Sequence, residues 1–93
     1  MITMDLADIL DVCCQEFEVS IEEVKGHSLR TEIVYCRAAF IVIAKEHFGL
    51  CNRTIGEAIN RKQHSVKHLF ENQPNTRYYK LSLLRIRKHC PRL

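Results

Sequence analysis

The run T-I-G-E-A-I-N-R-K-Q-H-S-V-K-H-L-F, residues 54–70, holds two apolar triplets with the same spacing. Ile55, Ala58 and Ile59 fall at i, i+3 and i+4, and Val66, Leu69 and Phe70 repeat the interval. Each triplet is the inward face of a short helix. The first helix starts at Asn52 or Arg53 and runs to Ile59; the second runs from Gln63 to Glu71. Asn60-Arg61-Lys62 is the turn between them, and Ala58 is the small residue expected to let the two helices approach. Gln73-Pro74-Asn75 stops the second helix, because proline cannot continue one. Two short helices joined by a tight turn have the shape of a helix-turn-helix.

The second of these helices opens with Gln63, His64 and Ser65, three side chains able to hydrogen-bond base edges. In such motifs the N-terminal residues of the second helix enter the major groove. Arg61 and Lys62 stand just before it, and a helix N-terminus itself favours phosphate. Helical hairpins are also common as bundle parts that bind nothing, so the spacing leaves both roles open.

Working outward, Thr31 to Phe48 forms a long helix closed by Gly49. Ile33, Val34, Phe40, Ile41, Val42 and Ile43 make it apolar around most of its circumference, which places it in the middle of a bundle. Arg37 and Lys45 interrupt that run eight residues apart, about 80° around the helix, and are expected on its exposed side. Arg37 has a structural alternative, an ion pair with Glu46 or with an N-terminal acid. Upstream, Leu6, Ile9, Leu10, Cys13 and Phe17 line one face of a helix over residues 5–17, with Asp5, Asp8 and Asp11 on another. Ser20 and Glu23 have the spacing of a capping box, and the short helix they start should end at Gly26. His27 to Arg30 is a loop. Downstream, Tyr78 to His89 forms a last helix, with Tyr79, Leu83, Ile86 and Cys90 inward and Arg77, Lys80, Arg87 and Lys88 elsewhere. No strand-like alternation and no repeat occur. The expectation is an all-α chain of about six helices, a helix-turn-helix bundle forming one domain over 1–93, with a core at 5–72 and an added C-terminal helix at 77–90.

The chain has 93 residues and a formal charge of +3, but the charge is unevenly placed. Residues 1–26 hold seven acids and one base, whereas residues 27–93 hold thirteen Lys and Arg against four acids. A basic body behind an acidic start suits a polyanionic partner; solvated surface is the plain alternative. The acidic first helix is a candidate docking face for a protein partner. The five cysteines are odd in number and lack any C-x-x-C pair, so they are expected to be reduced thiols packed as small apolar residues, in the cytosol. The longest apolar run, Ala38–Ala44, is too short to span a bilayer, and the acidic start has the wrong charge for a signal peptide. His64 and His68, at i and i+4, have a spacing that can bind metal, but no flanking Glu or Cys completes a ligand set. No metal or other cofactor is expected. No G-x-x-x-x-G-K-[ST] occurs and no catalytic constellation can be placed, so neither nucleotide binding nor enzyme activity is expected.

Several stretches together resemble a known family. S-L-R-T-E-I-V-Y-C-R-A-A-F (28–40) and A-K-E-H-F-G-L (44–50) resemble the basic loop and long helix of the C-terminal DNA-binding domain, domain IV, of the bacterial replication initiator DnaA. T-I-G-E-A-I-N-R (54–61) resembles that family's E-I-G-x-A-F/L-x-R, and R-K-Q-H-S-V-K-H (61–68) its R-D-H-[ST]-T-V-x-H. V-S-I-E-E-V-K-G (19–26) is similar to the start of that domain. The likeness runs from Asp5 to Phe70 in one register. Aligned without a gap, the family's Asp-His falls on Lys62-Gln63 and His64 takes a Ser/Thr position. A one-residue slip brings His64 onto the family's histidine at the expense of Val66. Leu29 and Thr31 stand where the family often carries Arg or Lys.

The resemblance implies phosphate contacts from Arg37 and Lys45, a minor-groove or backbone role for Arg30, and base or phosphate contacts from Arg61, Gln63, His64 and Ser65. Lys62 stands beside the bases with its charge reversed relative to the family. Arg53 and Lys67 join as phosphate ligands on charge grounds. The partner implied is double-stranded DNA, bound by a stand-alone module acting in replication initiation or its regulation. The competing expectation is a protein-interaction module that kept the fold and lost DNA binding, using the acidic helix around Asp5, Asp8 and Asp11 or the Leu83/Ile86 face.

Overall fold

Short side chains cap the starts of three of this chain's helices. The computed structural model describes residues 5–90. Its helices are α1 (Leu6–Phe17), α2 (Ile21–Lys25), α3 (Thr31–Phe48), α4 (Asn52–Ala58), α5 (Gln63–Glu71) and α6 (Arg77–His89), with no strand among the described residues. Asp5 accepts the Asp8 N–H at 2.9 Å, and Asp8 returns the bond to the Asp5 N–H at 3.1 Å. Ser20 and Glu23 do the same for α2, at 3.1 and 2.9 Å. These reciprocal boxes satisfy amides that have no partner inside the helix. Thr76 Oγ1 accepts the Tyr79 N–H and starts α6. Gly49 ends α3 with φ 59°, donating its N–H to the Lys45 carbonyl; the left-handed region costs glycine no Cβ strain.

α3 is the central element. It packs against α1, α2, α5 and α6, while α4 attaches through its partner α5. Every residue from Cys36 to Ala44 is buried, which accounts for an apolar surface without a polar face. Ile9, Phe17, Phe40, Ile41, Ile55, Ile59, Val66, Tyr79 and Ile86 fill the core around it.

α6 closes the bundle over α1 and α3. Arg85 pairs with Glu16 at 3.0 Å, and Arg87 grips Glu46 with two nitrogens at 2.6 and 3.1 Å. Beneath its first turn, Tyr35 lies 5.6–6.4 Å from the rings of Phe17, Tyr78 and Tyr79. Among the described residues no helix is long and apolar enough to cross a membrane.

Four expectations about side chains need correction. Phe70 is 37% exposed, not inward, and its ring lies 4.9 Å from the Lys45 ammonium. Leu83 and Ile86 are core residues, so they offer no docking face; the outward apolar residues of α6 are Tyr78, Leu81 and Leu84. Cys51 is exposed, whereas Cys13, Cys14, Cys36 and Cys90 are buried. Arg37, expected on the exposed side of α3, is only 3% exposed.

Candidate nucleic-acid interface

Gly56 sets how closely α4 and α5 meet. Its carbonyl accepts the N–H of Ile59 at 3.1 Å and of Arg61 at 2.8 Å, folding the turn back onto α4. A Cβ at this position would overlap the Arg61 carbonyl oxygen and sit 3.2 Å from Val66 Cγ2. The close-approach role expected of Ala58 therefore belongs to Gly56, and Ala58 lies partly buried beside the core. Asn60 completes the turn at φ 57°, the left-handed region that asparagine tolerates better than most residues.

The N-terminus of α5 is left open by this turn. Lys62 is the N-cap residue and makes no side-chain capping bond, and no acid lies in the first turn. Lys62, Gln63 and His64 are exposed and Ser65 is half-buried, while Val66 is fully buried against the core. Lys67 and His68 point outward on the next turn. The polar side chains thus project from a helix whose opposite face is fixed.

A set of backbone carbonyls ties the turn to the loop between α2 and α3. Arg37 Nε donates to Val24 O at 2.9 Å and Nη1 to Ser28 O at 2.7 Å. Its Nη2 reaches Gly26 O at 2.9 Å and Glu23 O at 3.3 Å. Arg61 Nη2 also donates to Gly26 O, and Asn60 Nδ2 donates to Lys25 O at 3.3 Å. The last carbonyls of a helix have no intrahelical partner and carry the negative end of its dipole. Two guanidinium groups and an amide collect them here. Burial, and then the neighbouring Arg61, push the Arg37 pKa down, but a guanidinium stays charged in proteins. Arg37 is therefore buried and meets carbonyls, where the sequence placed it on the exposed side of α3 or in an ion pair with Glu46 or an N-terminal acid.

The loop and α5 share one concave surface. A groove of about 500 Å³ is lined by Leu29, Val34 and Arg37 on one side and by Arg61, His64 and Ser65 on the other. Leu29 stands 84% exposed at its lip. Beside it, Arg30 pairs with Glu23 at 3.2 Å and Glu32 at 3.5 Å. Arg53, exposed on α4, pairs with Glu57 at 3.5 Å, and Lys45 rests on Phe70. The structure thus gathers Arg61, His64 and Ser65 around one groove, with Lys62 and Gln63 at the adjoining helix start. Arg30, Arg53 and Lys45 come from neighbouring elements.

Sequence reasoning missed the role of Gly56; it placed Asn60 in the turn and Leu29 in the loop, but not the left-handed backbone of the one or the groove beside the other. The signal for Asn60 was its residue type in a three-residue turn; for Gly56 it was a glycine inside a helix, which needs a packing reason. For Leu29 the signal was its place in the loop; where it sits relative to α5 depends on how the loop is pinned. Among the described residues no group of three or more His, Cys, Asp and Glu comes together as a metal site.

Comparison with known proteins matches residues 6–68 to the family described as the bacterial dnaA protein helix-turn-helix. The chromosomal replication initiator protein DnaA of Nostoc punctiforme is 37% identical over 58 residues, covering 62% of this chain and 13% of that protein. DnaA of Oleidesulfovibrio alaskensis is 32% identical over 63 residues, 68% of this chain and 14% of that protein. The chain thus spans a small fraction of the length of the curated relatives it matches. The family match ends inside α5, before α6 begins. The geometry of turn, recognition helix and central helix, together with these matches, places the chain in the bacterial DnaA helix-turn-helix family.

Proposed function

We propose that this chain binds double-stranded DNA through α4 and α5, presenting Gln63, His64 and Ser65 to the major groove. The observation that carries this reading is the start of α5: an uncapped, acid-free helix N-terminus with exposed Lys62, Gln63 and His64 above a buried Val66. Such an end supplies amides and positive potential for phosphate and short polar side chains for bases. Lys62, Lys67, Lys45, Arg53 and Arg30 are the phosphate contacts; Arg61 holds the turn through Gly26 and adds charge beside the bases. Arg37 holds the loop without touching DNA. As one helical domain, with α6 added to the family core, the chain acts as a cytoplasmic, non-enzymatic, nucleotide-independent module that occupies sites in replication initiation or its regulation.

Selection from random duplexes tests this reading. Enrichment of a defined site, lost with Gln63→Ala or His64→Ala, is the expected result; enrichment unchanged by both removes the base-reading role. A protein-docking role has one observation in its favour. Tyr78, Leu81 and Leu84 are exposed on α6, outside the matched stretch. A chain that selects no duplex at all leaves that role standing in place of DNA binding.

A further inference from the structure

Four buried thiols lie on α1, α3 and the end of α6, and two of them touch. Cys14 on α1 and Cys36 on α3 are 22 residues apart in sequence, yet their sulfurs are 4.0 Å apart, with the Cys36 S–H donating to Cys14 Sγ. Cys36 is fully buried. Cys14, although only 4% exposed, lines an open groove of about 460 Å³ between α1 and α2, together with Asp11, Glu18, Val19 and Ile21. Cys14 thus borders a groove open to solvent, and the Cys36 sulfur lies 4.0 Å from its own.

We propose that Cys14 and Cys36 are a peroxide-sensitive pair, in which Cys14 is oxidised through the groove and Cys36 closes a disulfide between α1 and α3. In the first step the Cys14 thiolate attacks one oxygen of hydrogen peroxide. The O–O bond breaks, an S–O bond forms, and the departing hydroxide takes up the proton Cys14 released, leaving as water. In the second step Cys36 sulfur attacks Cys14 sulfur. The S–S bond forms, the S–O bond breaks, and hydroxide leaves with the Cys36 proton as a second water. Two thiols lose two electrons and two protons, and one peroxide becomes two waters. Closing the pair brings the sulfurs from 4.0 Å to about 2 Å, a movement shared by two side chains.

The neighbours assign the order. The hydrogen bond from Cys36 holds the Cys14 thiol below its ordinary value, against burial and the carboxylates of Asp11 and Glu23. Donating that bond, and burial, push Cys36 up. Cys13, next to Cys14, is pushed up by burial and then by Cys90 and Cys14. Since the thiolate is the nucleophile, Cys14 reacts first and Cys13 stays a thiol. Cys51 bonds to Thr54 Oγ1 on the surface and serves as an internal control for oxidant access.

The test is brief exposure of the folded, full-length chain to hydrogen peroxide, alkylation of remaining thiols, and peptide mapping. The expected product is lighter by two hydrogens across a Cys14–Cys36 link. The link persists in Cys13→Ala, is absent from Cys14→Ala and Cys36→Ala, and raises the thermal midpoint until dithiothreitol reverses it. Circular dichroism confirms that each variant is folded, and the wild-type and Cys13→Ala maps suffice where one is not. The proposal is overturned if Cys51 is oxidised while Cys14 and Cys36 both remain alkylatable. A link that runs through Cys13, or one that forms only after unfolding in urea, overturns it equally.

Discussion

Arg37 shows how a single residue can be legible in sequence yet misplaced by it. Its charge inside an apolar helix suggested exposure, but the carbonyl ends of α2 and the following loop form a better solvent for it than their burial alone would suggest. Arg37→Ala would take a charge-assisted bond from four carbonyls; Gly26 O keeps Arg61 and Glu23 O keeps the Gly26 N–H, while Val24 and Ser28 lose theirs. The expected cost is about 2–3 kcal/mol, since one buried and several part-buried charge-assisted bonds are lost together. Arg37→Lys recovers little, because an ammonium lacks the planar fork that reaches several carbonyls at once. Urea unfolding of both variants checks this, and a loss below about 0.5 kcal/mol, the range of ordinary surface substitutions, contradicts it. Gly56→Ala makes a second residue-scale test. The methyl gains about 1 kcal/mol of helix propensity, but overlap with the Arg61 carbonyl costs about 1–3 kcal/mol. The expected outcome is a less stable protein with weaker duplex binding, because α4 and α5 are forced apart.

At the scale of elements, the boundaries followed from local chemistry that sequence displays directly. Ser20, Gly26, Gly49 and Pro74 each mark an end, and helices α1 to α6 begin and stop within about a residue of the bounds read from the sequence. Facing was less legible. Phe70 stands one turn beyond Val66, yet Val66 is buried in the core and Leu69 packs against it, while Phe70 stays outside and finds Lys45 instead. Leu81 and Leu84 fall off the Tyr79–Leu83–Ile86 face that periodicity marks as inward, and Arg85–Glu16 and Arg87–Glu46, pairs 69 and 41 residues apart in the chain, hold α6 in that orientation. The candidate bases-facing triplet Gln63–Ser65 was readable because it depends only on helix start and side-chain type; the carbonyl clamp depends on long-range packing and was not. Two consequences belong here. Arg87→Ala is expected to lower stability by about 0.5–1 kcal/mol, less in high salt, as for a partly exposed ion pair. The α2 cap should also respond to acid. Hydrogen bonds from the Ser20 backbone and hydroxyl, with Arg30 nearby, hold the Glu23 carboxyl below its ordinary value. Its contribution is therefore present above the unfolded-state pKa and is lost as pH falls through the folded one. Unfolding midpoints followed from neutral to acidic pH should fall less steeply for Glu23→Gln than for wild type.

Across the whole molecule, the division of charge read from the sequence acquires a location. Seven of the eleven acids stand within the first 26 residues, on and beside α1 and α2, and exposed Lys62 and Lys67 lie on α5, with α3 between. That polarity orients a polyanion toward α4 and α5 and away from α1. The Gly26 carbonyl, shared by Arg37 and Arg61, keeps the loop that carries Leu29 and Arg30 at a fixed place beside the recognition helix. In the proposed complex α5 reads bases while its surroundings hold phosphate. Fluorescence anisotropy on the selected duplex, across a salt series, tests it most directly. Wild type should lose affinity linearly in log salt, by about 0.9 per phosphate contact. His64→Ala should weaken the selected site by about 1–3 kcal/mol and leave scrambled duplex unchanged, whereas Lys67→Ala should weaken both and flatten the slope. Absence of duplex binding at low salt, or equal affinity of wild type for selected and scrambled sequences, contradicts the claim.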